Sequence, residues 1–260
     1  MGAGVIKGKT SHRGALRAGR AVMLALCVLA FSRAAGAAPK SIIDKADSLY
    51  ERRYDTKNVY EAIGLLEAVT IAMPGDYDAS WRLARIFWFL GDKAEGKERI
   101  ALFERSKQFA EAAVRINGRL VDGHYWLASS YGSLAMEKGI FAMVFAIPVV
   151  RGHIEECIRI DANDARAHSL YALFLWKLPG ILGGSIGRAI EEASLAVRLE
   201  PENPVFWGIL GGTLEAGGRY AEARGAFQKV LSSPLRKDDP IEDEKFRREA
   251  EAAIARMEDK

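Results

Sequence analysis

A repeating order of small and bulky residues constrains this chain more than any other feature. From Trp207 the sequence sets out Trp207, Leu210, Gly211, Leu214, Gly218, Tyr220, Ala223, Phe227 and Val230, the pattern of two short helices folded back on each other. Gly211 and Ala223 are small where two helices cross closely, while Trp207, Leu210 and Phe227 fill the space between neighbouring pairs. Gly217 and Gly218 supply the turn. The second half of the pattern recurs upstream: Ala189, Ala193, Ala196 and Pro201 share one spacing, and Ala62, Leu66, Val69 and Pro74 share the same one. In both, a proline follows the helix end, where its missing N–H does no harm. Weaker copies occur at Ser106, Ala110, Ala113, Gly118 and at Val150, Ile154, Cys157, Ala162.

This is the tetratricopeptide (TPR) pattern, and self-similarity at such a period predicts an all-α, TPR-like helical-repeat solenoid. Repeat ends fall near 74, 118, 162, 201 and 235, giving about five helix pairs spaced near 44, 44, 39 and 34 residues. Only the last spacing is a standard TPR length, so the earlier units carry insertions. Aromatic residues mark the first helices: Trp81 with Trp88, Tyr125 with Trp126 and Tyr131, and His168 with Tyr171 and Trp176. Past Ser41 the apolar residues recur at helical spacing, with no long alternating runs that would argue for strands. Beyond Pro234 the chain turns strongly charged, and a capping helix over 242–257 is expected to close the repeat domain, 38–260.

The first forty residues differ from the rest. Lys7, Lys9, Arg13, Arg17 and Arg20 precede an apolar run from Ala21 to Phe31, followed by small residues up to Ala38. That order is a secretory signal peptide, residues 1–37, with the cut after Ala37 so that Pro39 does not sit directly behind the scissile bond. An uncleaved membrane anchor is the alternative, but the apolar run is short against the ~20 residues a spanning helix needs. Cys27 lies inside this run; as a lipidation site it would follow Leu26, a bulky residue where such sites carry a small one. The segment holds six of the 37 basic residues and no acid, so the remainder carries 31 basic against 34 acidic residues. The basic balance therefore belongs to the export signal, the expected compartment is the periplasm, and the surface has no nucleic-acid footprint.

Chemistry is sparse. His124, His153 and His168 lack the spacing of a zinc site, Gly180 to Ser185 lacks the lysine and preceding strand of a phosphate loop, and the pairs Glu155–Glu156 and Glu191–Glu192 diverge on helices. No metal, no cofactor and no catalytic residue is expected, and the chain reads as a binding module that is not an enzyme. Two insertions remain. Gly139 to Val150 (GIFAMVFAIPVV) is almost wholly apolar; it reads as a loop between the helices of the third pair, destined for burial, a subunit contact or an apolar ligand, through Ile140, Phe141, Met143, Val144, Phe145, Ile147 and Pro148. Leu178 to Ser185 (LPGILGGS) joins the helices of the fourth pair, with Ser185 as an N-cap. The repeat register projects Arg82, Phe89, Tyr125, Ser129, Arg166, Ser169, Leu173 and Trp176 toward the concave face of the stacked first helices. That mixture suits an amphipathic carboxylate or a peptide, although Arg82 and Arg166 could equally pair with nearby acids.

The N-terminal signal, the WRLA segment Trp81 to Ala84, the YWLA segment Tyr125 to Ala128, the apolar insertion ending in Pro148 and the LPGILGGS loop together resemble the T component associated with TRAP transporters (TatT). The resemblance covers roughly Ser41 to Leu231. TPR-like proteins share much of this pattern, and a related helical family in eukaryotes regulates microtubules. The resemblance implies a periplasmic homotrimer that partners the solute-binding protein of a TRAP uptake system and passes a small apolar or organic-acid ligand through a hydrophobic cavity, which the segment Gly139 to Val150 would suit. The alternative is a generic periplasmic TPR scaffold that grips a peptide or helix of an envelope complex.

Overall fold

The computed structural model describes residues 39–234 and 240–258; the signal-peptide reading of residues 1–37, with Cys27, lies outside them. The described residues form eleven α-helices and no strand. They are α1 (Pro39–Tyr50), α2 (Thr56–Ala72), α3 (Tyr77–Lys93), α4 (Gly96–Ile116), α5 (Val121–Lys138), α6 (Ile140–Ile160), α7 (Ala165–Lys177), α8 (Ile186–Leu199), α9 (Pro204–Ala216), α10 (Tyr220–Ser232) and α11 (Pro240–Arg256). A short 3-10 turn, Gly180–Leu182, lies between α7 and α8.

Helix starts are fixed by short polar side chains that accept otherwise orphaned backbone N–H groups. Asp76 accepts from the amide of Ala79 at 2.7 Å, Asp164 from Ala167 at 3.0 Å and Asn203 from Val205 at 3.1 Å. Ser185 caps α8 by accepting from Arg188 at 3.4 Å. Each odd-numbered helix up to α9 packs on the next to make a pair, and α11 closes the array against α10. First helices also meet one another across pairs, α3 against α5 and α7 against α9, so they line up along one face. The architecture is a TPR-like solenoid of five helix pairs with a C-terminal cap.

Small residues permit these approaches. A Cβ on Gly211 would stand 2.8 Å from the Phe227 ring within the fifth pair, and one on Gly123 would stand 3.2 Å from the backbone nitrogen of Val114 in the preceding pair. Ser106 is buried where α4 meets α3 and α5, and its hydroxyl is satisfied by the carbonyl of Ala84 and the hydroxyl of Ser130, each at 2.6 Å. Between α7 and α8, Gly183 has φ +91° and a Cβ on Gly184 would fall 1.8 Å from the carbonyl oxygen of Leu178. That loop needs glycine at both places for different reasons, conformation at one and space at the other.

The apolar stretch 139–150 departs from expectation. It is no loop: Gly139, at φ +92°, ends α5, and the chain runs straight into α6 from Ile140. Nor is it buried in the fold, since Ile140, Phe141, Val144, Phe145 and Pro148 are exposed while Ala146 and Val150 are buried and Met143 and Ile147 half-buried. A helix that is apolar on every side shows no periodicity, and so reads from sequence as an inserted loop.

Candidate functional site

The face made by the first helices carries a dense cluster of cations and rings at its N-terminal end. Asp47 of α1 accepts from Arg82 Nε at 2.8 Å and from Arg85 Nη2 at 2.7 Å, both on α3. Arg82 also donates to Asp78 at 2.7 Å. The two carboxylates thereby orient the guanidinium groups over aromatic faces. Arg82 lies 4.2 Å from the Trp81 ring centre, and Arg85 lies 4.1 Å from Tyr50 and 5.0 Å from Trp81. Arg53 stands 4.8 Å from Tyr50 and 5.5 Å from Phe89, whose ring also faces Lys93 at 5.5 Å. Tyr50 and Phe89 meet edge to face at 5.9 Å. Four cations thus share three rings, and two carboxylates preset the geometry of Arg82 and Arg85. The arrangement suits a carboxylate-bearing or acidic segment with an apolar or aromatic neighbour.

The next step along the face is smaller. Arg166 of α7 lies 5.2 Å from the Tyr125 ring and donates to Asp122 at 2.9 Å and Asp164 at 2.7 Å. Burial works against its charge, but the carboxylates of Asp164 and Asp122 outweigh it and hold the guanidinium charged. Burial pushes the Tyr125 hydroxyl up to about 12, so it is a neutral hydrogen-bonding group at any ordinary pH. Trp88 of α3 donates to the hydroxyl of Ser133 at 3.1 Å and joins the two steps. At the far end the Trp176 ring lies where a Cβ on Gly212 would come within 2.3 Å, and Lys177 caps it at 3.9 Å.

Of the residues projected onto this face, the structure brings Arg82 and Phe89 into the first cluster and Tyr125 and Arg166 into the second. Both arginines are held by acids on two sides. Ser129 and Ser169 are buried, and Leu173 and Trp176 are half-buried. Sequence reasoning missed Asp47, Tyr50, Arg53, Trp81 and Arg85. A signal for Arg85 was present: it stands 44 residues before Ser129, which stands 44 before Leu173, so the register that picks those two picks Arg85 rather than Arg82.

The histidines brace helix pairs. His124 Nε2 donates to the carbonyl of Gly118 at 3.1 Å, which leaves its Nδ1 to accept from His153 Nδ1–H at 2.8 Å. His168, 44 residues on, faces the carbonyl of Ala162 at 3.0 Å and Glu192 at 2.6 Å. Among the described residues no group of three or more His, Cys, Asp or Glu is placed to hold a metal ion. Burial pushes the Cys157 thiol up to about 12, so it remains a protonated packing residue, inert as a nucleophile.

The family described as "Regulator of microtubule dynamics protein 1-3" matches residues 42–179, from α1 into the loop after α7. It is a different family from the TRAP transporter T component that the sequence resembles. "Regulator of microtubule dynamics protein 3" of Mus musculus is 28% identical over 164 residues, covering 61% of this chain and 34% of that protein. The protein of the same name in Rattus norvegicus is 25% identical over 162 residues, with the same coverage of 61% and 34%. The chain thus spans only 34% of the length of the curated relatives it matches. Among solved structures, a TPR protein of Thermus thermophilus superposes with a TM-score of 0.64 at 20% identity, covering 84% of this chain and 100% of that one. PilF of Pseudomonas aeruginosa superposes with a TM-score of 0.52 at 14% identity, covering 85% and 93%. Both share the TPR-type fold.

Proposed function

The chain belongs to the Regulator of microtubule dynamics protein 1-3 family, and from that membership together with the geometry above we propose that it is a protein-binding scaffold, holding a segment of a partner against its first-helix face without covalent chemistry. One observation carries this reading: the cluster of Arg53, Arg82, Arg85 and Lys93 over Tyr50, Trp81 and Phe89, which offers cations and apolar rings together on a supported surface. Stacked first helices are the usual ligand surface of such solenoids, because each adds side chains at a fixed step along an extended segment. An acidic stretch with aromatic or aliphatic neighbours is the partner chemistry that fits. The N-terminal export signature supports work in the periplasm, where the partner would be an envelope protein. The relatives' name adds tubulin polymer as a second candidate to try.

The test is capture by the full chain with cross-linking and mass spectrometry, comparing wild type with Arg85→Gln and Phe89→Ala. Loss of a specific partner from both variants, with cross-links mapping to α1 and α3, is the expected result. Equal recovery by all three proteins would remove the site from consideration. A role beside the solute-binding protein of a TRAP system, as a homotrimer passing a small apolar or organic-acid ligand, draws on the sequence resemblance alone and stands second. Recovery of a solute-binding protein in the same experiment would bring it forward.

A further inference from the structure

One edge of the solenoid, where the third and fourth helix pairs turn, exposes large apolar side chains. Phe141 is 81% exposed, Phe145 76% and Ile181 94%. Met136, Ile140 and Val144 are also exposed. Four of these lie on the first two turns of α6, on the side away from Ala146 and Val150, which face the core. Met136 is in the last turn of α5, just across the Gly139 turn, and Ile181 tops the loop between α7 and α8. Arg151 ties that loop to α6, its Nη2 reaching the carbonyl of Gly183 at 3.4 Å. The six side chains therefore lie along the edge where two adjacent helix hairpins turn. An apolar set of this size is uncommon on a free surface.

Its electrostatic surround is one-sided. Arg151 beneath the loop and Lys177 just before it form no ion pair with a carboxylate among the described residues, whereas Arg188 just after it bonds the Tyr171 hydroxyl at 3.1 Å within reach of the Glu192 and Glu155 charges. Nearby, Glu137 is matched by Arg99 at 2.9 Å and Lys138 by Glu104 at 2.8 Å. Protruding apolar side chains flanked by unmatched cations complement a surface that is anionic outside and hydrocarbon beneath. No helix among the described residues is long and apolar enough to cross a membrane, so such a contact would be interfacial. A second copy fits less well: a self-complementary contact through this patch would bring Arg151 and Lys177 of one chain against the same two cations of the other. A protein partner would need a shape moulded to the protruding rings, whereas a bilayer needs none.

From this juxtaposition we infer that the α5–α6 turn and the α7–α8 loop form a docking surface for anionic lipid bilayers, with Phe141, Phe145 and Ile181 entering the headgroup region and Arg151 and Lys177 meeting lipid phosphates. This goes beyond the scaffold reading and uses the edge of the solenoid where hairpins turn, sharing only Lys177 with the first-helix face. Co-sedimentation of the full chain is compared with vesicles of phosphatidylcholine alone and of phosphatidylcholine with phosphatidylglycerol, each doped with a photoactivatable lipid whose cross-links are mapped by mass spectrometry. Cross-links at 136–148 and 178–185 are expected, favoured by phosphatidylglycerol. Replacing both rings, Phe141→Ser with Phe145→Ser, should reduce cross-linking there by about tenfold, since each removes apolar area from the interface. Arg151→Gln with Lys177→Gln should remove the preference for phosphatidylglycerol. Phe141, Phe145 and Lys177 are exposed and Arg151 is half-buried, and circular dichroism checks that each variant stays folded. Cross-links confined to residues before 39, cross-linking at the patch unchanged by either pair, or self-association through the patch that lipid does not displace would each overturn the inference.

Discussion

At the scale of single residues, the stability of this fold is decided at crossings with no spare room. Gly211 faces the Phe227 ring so closely that any side chain must displace it. Gly211→Leu is therefore expected to lower stability by about 1–3 kcal/mol, the usual cost of overpacking, as read from the urea midpoint. A variant as stable as wild type would mean that α9 and α10 can slide apart. The His124–His153 pair makes a second expectation with a definite sign. Burial, then the neighbouring His124 imidazole, holds the His153 proton affinity below its ordinary value, while Glu111 and Glu156 pull weakly the other way. The unfolded chain then binds that proton more readily than the folded one, so stability rises with pH. The contribution is complete above the unfolded pKa of about 6.5 and is lost as pH falls through the lower folded value. His153→Gln should flatten the dependence of the melting temperature on pH below that point, measured by differential scanning calorimetry. The candidate site was half legible at this scale. Arg82, Tyr125 and Arg166 stand on helices whose repeat can be read, whereas Asp47 and Tyr50 on α1 and Arg53 just after it precede the clear copies of the repeat and so offer no register to read.

At the scale of elements, the sequence conveyed helices wherever a polar face contrasted with an apolar one. Asp76, Asp164, Ser185 and Asn203 begin their helices as caps, and Ala189, Ala193 and Ala196 mark the buried side of α8. Legibility failed at α6, because periodicity exists only where one side differs from the other. In the fold Pro148 sits within α6 with its ring exposed, and its missing N–H leaves the carbonyl of Val144 without its usual helical partner. Pro148→Ala should restore that bond without removing packing. A stability gain of up to about 3 kcal/mol is expected from the general cost of an interior proline, read from thermal melts, and an unchanged or lower melting point would show that α6 is shaped around the proline. The exposed rings of α6 belong to the same reasoning, since residues 140–150 are apolar on both their exposed and their buried side.

At the scale of the whole molecule, a solenoid holds together through neighbours, and its ends are its weak points. The C-terminal end is closed by α11, which places Ala250, Ala253 and Met257 in the same core cluster as Phe227 and Val230, while Arg224 donates to the carbonyl of Met257 at 2.7 Å. The first three helices form a separate core cluster around Ile43, Leu66 and Phe87, distinct from that of the cap. Removing the chain after Ser233 should therefore act locally. Amides of α9 and α10 are expected to exchange with solvent faster by hydrogen-exchange mass spectrometry, while those of α2 and α3 keep their protection, because only one nearest-neighbour interface has been lost. Loss of protection in every pair at once would mean that the array folds as one cooperative body, and the cation–aromatic cluster at its far end would then owe its geometry to helices it never touches.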